Sequence, residues 1–539
     1  MTYSIKNTLV SSLLVAATTG HAAVLAPVND IAFPSSKSVV NPLQYSGGNS
    51  PYFAGPNVNG ISNDVPEKCT VQQAAYIVRH GSPIRDHTIA GLSSKRRFVW
   101  FYTIWCAPRF THRRETQIQT AVNGTGFNAH GSLAFIKDWR PVLTNPPLQI
   151  AQESMTGWKE ASDLGYQLRA RCMSSFQGHH RGVLLAKMRI DPDFYEDGSP
   201  FYVWANQYKN PINESRVVQT ARAFVHGYLY EFADAFGTVV SVNSTGSASA
   251  IGNSLGPSDS CPKFASTSSG GTNVTDFDNT WVPKVLKRVN SLVKGNLTFT
   301  ESDLLLFPYL CGYESQITGN LSPWCGVLTE DELHKYAYSQ DLSYYYGVGP
   351  GADGPAPVLF LPFLESLTEL LNKGPGQPGV DVDGHPFTLP KLIMAFLNDN
   401  QIAEMTAAMG IFDEEPPLST THIPEHHLYQ IAHFITMRGT VAFEVLNCSD
   451  EKKHKHSSSN GPYIRILFND AVYPVASCQD GPGKSCLLSE YISLLRQKNR
   501  TAGNFIDYCN VTTSGHPETV AGASFFTDLS QDFLTFVKP

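Results

Sequence analysis

Residues 69–81 read Cys69-Thr-Val-Gln-Gln-Ala-Ala-Tyr-Ile-Val-Arg79-His80-Gly81. An apolar, β-branched run that ends in a polar-Gly step predicts a buried strand that delivers its last residues to one edge of a sheet. In open α/β sheets, ligands sit at the carboxyl ends of the strands. Elements of other periods follow. Residues 154–171 carry Trp158, Leu164 and Leu168 at helical spacing. Residues 215–233 form a second stripe, with Ser215 as N-cap and Val217, Ala221, Phe224 and Tyr228 on one face. Segments 327–346, 360–372 and 401–409 also read as helices, and 463–468 alternates like a strand. Residues 240–275 are rich in Ser, Gly and Thr and read as loop. The mixture of strand and helix patterns points to an α/β protein.

The 539 residues are 42% hydrophobic and carry a formal net charge of -7. That length buries a large core, and the acidic balance argues against a nucleic-acid partner. The first residues read as a secretory signal over 1–22. Lys6 supplies the charge, Leu9 to Ala17 an apolar run too short to span a bilayer, and Gly20-His21-Ala22 the small residues before cleavage. Ten cysteines and nine Asn-x-Ser/Thr acceptors (Asn123, Asn213, Asn243, Asn273, Asn296, Asn320, Asn447, Asn499, Asn510) fit a secreted, glycan-bearing protein of the cell exterior, wall or vacuole, with no membrane span. Residues 23–66, rich in Pro, Gly, Asn and Ser, read as an extended arm. Residues 85–114 hold seven Lys/Arg against one acid, and 172–190 hold no acid. These segments read as a basic collar for an anionic substrate, as inserted surface loops, or as translated non-coding sequence.

Arg79-His80-Gly81 places a planar cation beside an imidazole at a strand end. Hydrolysing a phosphate ester through a covalent intermediate needs a nucleophile, fixed cations on the phosphate oxygens, an acid for the leaving oxygen and water to finish. A neutral imidazole serves as the first, and the fork of Arg suits the second. Four histidines at 422, 426, 427 and 433 lack the carboxylate or thiolate spacing of a metal site. The Gly-rich run 347–354 lacks the Lys-Ser/Thr of a P-loop, and no Gly-x-Ser-x-Gly elbow occurs.

The opening Cys-x9-Arg-His-Gly resembles that of fungal phytases and related histidine acid phosphatases. Further matches follow in the family's order. Arg216-Val-Val-Gln-Thr-Ala-Arg is similar to the helix that brings another phosphate-binding Arg. Leu397-Asn398-Asp399-Asn400 resembles the His-Asp proton-donor segment, and Arg438 to Cys448 the strand that closes the large domain. The resemblance implies a phosphomonoesterase that needs no metal or cofactor, with His80 as nucleophile, Arg79 and Arg216 on the phosphate and Asp399 as the acid. It also implies disulfides Cys69–Cys448, Cys261–Cys509, Cys311–Cys325 and Cys478–Cys486, leaving Cys106 and Cys172 in the two basic segments. By the same resemblance, residues 67–150 and 345–539 would form a large α/β core with a central mixed sheet flanked by helices, and 151–344, including the Arg216 helix, a smaller, mainly helical cap.

Two departures stand out. The family's Arg-His-Gly-x-Arg-x-Pro reads Arg79-His80-Gly81-Ser82-Pro83-Ile84-Arg85 here. Pro83 replaces a phosphate-binding Arg, and Arg85, two residues on, is the candidate substitute. Asn398 stands where the family has His; it donates a hydrogen bond to phosphate but carries no charge. These departures motivate a rival reading as a secreted phosphatase-like binding protein. Asp399 alone also reads as a helix N-cap.

Overall fold

In a computed structural model, residues 41–83, 107–143, 149, 152–172, 200–207, 215–266, 271–449 and 461–539 are described. The quoted stretch is strand β1 (Cys69–Arg79), buried from Gln73 to its end. It lies inside a nine-stranded sheet. The other strands, in chain order, are β2 (Phe201–Asn206), β3 (Gly237–Val242), β4 (Leu392–Leu397), β5 (Thr440–Cys448), β6 (Tyr463–Phe468), β7 (Ala471–Val472), β8 (Cys486–Leu487) and β9 (Leu534–Val537). The sheet order is β7-β6-β5-β1-β4-β2-β3-β9, with β8 also pairing β6. Strands β1, β4, β2 and β3 are mutually parallel, and the flanking pairings are antiparallel. The sheet is therefore mixed, as expected.

Alternation along β1 splits the core. Ala75 and Ile77 face one hydrophobic cluster, while Ala74, Tyr76 and Val78 face the other. α1 (Ala107–Val122) packs on the first face through Ile118 and Val122, whereas the second face is covered by α2 (Met155–Cys172) and α3 (Arg216–Leu229), through Leu164, Leu168, Ala221, Phe224 and Tyr228. The first face continues into α4 (Gly271–Ser291), α5 (Glu301–Thr318), α6 (Glu330–Gly347), α7 (Leu361–Asn372), α8 (Asp399–Ala408) and α9 (Leu488–Ala502). Each fully buried aliphatic or Phe side chain stabilises this packing by about 1.5–3 kcal/mol. Helix starts follow their caps: Ser215 Oγ accepts from Val218 N, and Thr329 and Glu332 close a capping box on α6.

Two expectations shift. Residues 201–242, assigned to the cap by their position, contribute β2 and β3 to the central sheet. Strand β2 is buried throughout because it lies inside the sheet, between β3 of the same segment and β4 from far along the chain. The stretch read as loop over 240–275 includes the end of β3 and the first turn of α4. Within the arm, residues 51–66 contain no helix or strand, but 42–45 and 47–49 wind into 3-10 turns.

All four implied disulfides are formed. Cys69–Cys448 ties β1 to β5 at paired register positions. Cys106 lies outside the described residues. No helix among the described residues is long and apolar enough to cross a membrane.

Candidate active site

β1 and β4 are parallel neighbours with Arg79 opposite Leu397, so His80 and Asn398 leave the sheet side by side. The His80 backbone is held from both sides: its N–H donates to Leu397 O at 3.0 Å, and its carbonyl accepts from Arg438 N at 3.0 Å. Arg438 makes this contact at φ 56°, in the left-handed region just before Gly439.

The imidazole is wholly buried. Nδ1 lies 2.8 Å from the Gly81 carbonyl, which only accepts, so the ring proton sits on Nδ1. Nε2 then keeps its lone pair and accepts from Arg216 Nε at 2.9 Å. Burial above all, then the charges of Arg216 and Arg79, hold the imidazole well below its ordinary value, against the opposing bond to Gly81. A neutral ring with a directed Nε2 lone pair has the form that nucleophilic attack requires.

Arg79 is fixed just as firmly. Its Nη1 donates to Gly48 O, from the arm, and to Ile435 O at 2.6 Å. Its Nη2 lies 3.7 Å from Asp399 Oδ2. Arg216 is the first residue of α3, so the helix N-terminus and a guanidinium point to one place. Across the site, Asn398 is the N-cap of α8 and Asp399 its first helical residue, which moves the cap role from Asp399 to Asn398. Asn398 N donates to Gln401 Oε1 at 3.1 Å, whereas both polar atoms of its side-chain amide lack partners among the described residues. Tyr344 OH, from α6, donates to Asp399 Oδ2 at 2.5 Å.

The fold thus brings His80, Arg79, Arg216, Asn398 and Asp399 together from three strand or helix ends. Arg85 lies outside the described residues. Pro83 is buried in a β-bridge with Glu153, so no cation occupies that position. The four histidines do not converge: His427 Nε2 pairs with Asp341 Oδ2 at 3.3 Å, His433 Nδ1 meets Tyr473 OH at 3.4 Å, and His422 Nδ1 meets Ser419 Oγ at 2.9 Å.

Residues 114–469 match the histidine phosphatase superfamily, branch 2. The chain belongs to that superfamily. The expected class, a phosphomonoesterase of the histidine phosphatase type, is met. The matched stretch begins after Arg79-His80-Gly81, a corner that the fold brings back beside β4. The chain is 26% identical to the Saccharomyces cerevisiae acid phosphatase PHO12 over 474 residues, 87% of this chain and 86% of that one. It is 25% identical to the Candida albicans phytase PHO112 over 492 residues, 90% and 91% of the two chains. The crystal structure of the D. castellii phytase superposes with a TM-score of 0.68 at 22% identity, covering 92% of this chain and 93% of that one.

Sequence reasoning passed over three polar side chains at the site of this histidine phosphatase. Tyr344 opens a Tyr344-Tyr345-Tyr346 run that reads as aromatic core. Glu160 accepts from Ser82 N at 2.8 Å and from Ser82 Oγ at 3.0 Å, which holds the loop just after Gly81. Glu153 lies one helix entry earlier, against Gly81 itself. The only signal for either glutamate was its place near the start of an otherwise amphipathic helix.

Proposed function

We propose that this protein is a secreted acid phosphomonoesterase that passes the phosphoryl group from ester to His80 and then to water. The observation that carries the reading is the fixed tautomer of His80, with the proton on Nδ1 toward Gly81 and the Nε2 lone pair in the grip of Arg216. Arg79 and Arg216 hold the phosphoryl oxygens, and the amide of Asn398 supplies a further donor. When the phosphate enters, Arg216 passes its hydrogen bond from Nε2 to a phosphoryl oxygen; the freed Nε2 lone pair attacks phosphorus as the P–O ester bond breaks, and protonated Asp399 gives its proton to the leaving oxygen. Water then attacks the phosphohistidine and returns a proton to Asp399, while the pair of electrons in the P–N bond goes back to Nε2. Arg85 stays a candidate phosphate contact on sequence grounds alone. The substrate class is small phosphate monoesters, in line with the acid phosphatase and phytase relatives.

Secretion is supported by the signal-like start and four disulfides. The eight described Asn-x-Ser/Thr acceptors are all at least partly exposed, as N-linked glycans require. Hydrolysis of an aryl phosphate from pH 2 to 8, with wild type beside His80→Ala, tests the reading. Acid-range turnover that falls by at least about 1,000-fold in the variant is expected. Turnover that survives the change rejects His80 as nucleophile. No turnover in either protein favours the binding-protein reading suggested by Pro83 and Asn398.

A further inference from the structure

Glu153 and Glu160 flank the His80 loop, and the chemistry above uses neither. Their environments differ. Burial raises Glu160 above the usual carboxylate range, but both of its oxygens take hydrogen bonds from Ser82, which, with the charges of Arg438 and Arg79, oppose that shift. Both oxygens of Glu153 are sealed from solvent and have no hydrogen-bond partner among the described residues. The surface that Glu153 retains belongs to its other atoms.

The Glu153 carboxylate sits in a cradle of two glycines. A Cβ on Gly81 would lie 2.2 Å from Oε1, and one on Gly157 would lie 2.3 Å from the same atom. The backbone is pinned too: Glu153 N donates to Gln219 Oε1 at 2.9 Å, and Pro83 pairs with Glu153 in a β-bridge. Thr220 is adjacent, but its hydroxyl proton goes to Arg216 O at 2.8 Å and the oxygen already accepts from Gly81 N at 3.1 Å. The charged groups facing Glu153 are Glu160 on α2, Arg216 on α3 and Arg79 on β1, with neutral His80 beyond Gly81.

An unpaired carboxylate in such a place is driven toward its neutral form. Burial first, then the charge of Glu160, push Glu153 well above the usual carboxylate range, against Thr220, Arg216 and Arg79. Ionised, it would draw on the same two guanidinium groups assigned to the phosphoryl oxygens.

We propose that Glu153 couples anion binding at His80 to its own protonation, so that the pocket takes a dianionic phosphoryl group together with a proton on Glu153. The inference rests on the phosphate-pocket reading above. Its sign follows from the charges. At low pH the carboxyl is neutral, and the two guanidinium groups act on the ligand unopposed. As pH rises through the raised transition, Glu153 ionises and anion affinity falls, by about tenfold per pH unit for one linked proton.

Sulfate is the probe, because it stays a dianion throughout the range of interest. Calorimetric titration of wild type, Glu153→Gln and Glu153→Leu from pH 4 to 8, in buffers of differing ionisation enthalpy, reads both affinity and proton uptake. Wild-type affinity is expected to fall with rising pH, with uptake of a proton on binding. Both variants are expected to keep their low-pH affinity to higher pH and to lose that uptake. Any proton taken up by His80 persists in the variants, so the difference isolates Glu153. Equal pH dependence and equal uptake in all three proteins overturns the proposal. No sulfate binding by any of them overturns the anion pocket and the proposal with it. Because turnover is not the readout, a protein that binds sulfate as expected but hydrolyses no ester contradicts the phosphatase reading alone.

Discussion

The ends of β1 and β4 lie side by side in register, yet they are built differently. At the β1 end, His80 has a partner for its N–H, its carbonyl, Nδ1 and Nε2. At the β4 end, the Asn398 amide has none among the described residues, and one oxygen of Asp399 is shared between Tyr344 and Arg79. A nucleophile works from one tautomer and one direction, so a fully bonded ring is an asset. On the proposed mechanism, the acid end meets a leaving group and a phosphoryl oxygen that arrive with the substrate, and its unmet hydrogen bonds are those the ligand would complete.

The contrast breaks most visibly at the acid. Asp399→Asn is expected to lower kcat by about 100- to 10,000-fold on an alkyl phosphate, and by much less on an aryl phosphate whose leaving group needs no proton. An equal loss on both substrates would make Asp399 a structural residue. A smaller effect is expected at its partner. Tyr344→Phe removes the hydroxyl that holds the Asp399 carboxyl in place, so kcat on the alkyl phosphate is expected to fall by about 3- to 10-fold while kcat on the aryl phosphate changes little. An equal change on both substrates would reduce Tyr344 to packing. Asn398→His sharpens the comparison by adding a charge where the amide is unmet. A several-fold lower KM at pH 4–5 that disappears by pH 8 is expected, because the imidazolium loses its proton over that range. A KM change that ignores pH would show that the side chain does not face the phosphate.

What the sequence made legible follows the same division. β1, the Arg216 helix and the Asn398-Asp399 turn are local patterns: an apolar run, a capped stripe, a strand-to-helix step. Each element formed close to its expected place. The ordered resemblance added the disulfide pairs, which spacing alone leaves open. β2 escaped because Phe201–Asn206 is a short apolar run whose strand identity depends on β3 and β4, distant in sequence. Glu153 and Tyr344 escaped for a related reason. A glutamate at a helix entry is ordinarily solvated, and a Tyr in an aromatic run is ordinarily core. Only the approach of Gly81 and Gly157, and the meeting of α6 with α8, give these residues their settings.

The central claim is that the phosphoryl group rests on His80. Rapid mixing with a phosphorus-labelled aryl phosphate, a denaturing quench and peptide mapping tests it directly. The account predicts an acid-labile, base-stable phosphoryl group on the peptide containing His80, absent in His80→Ala. Steady turnover with no labelled histidine at any quench time would contradict it, and would point to direct attack by water in this pocket.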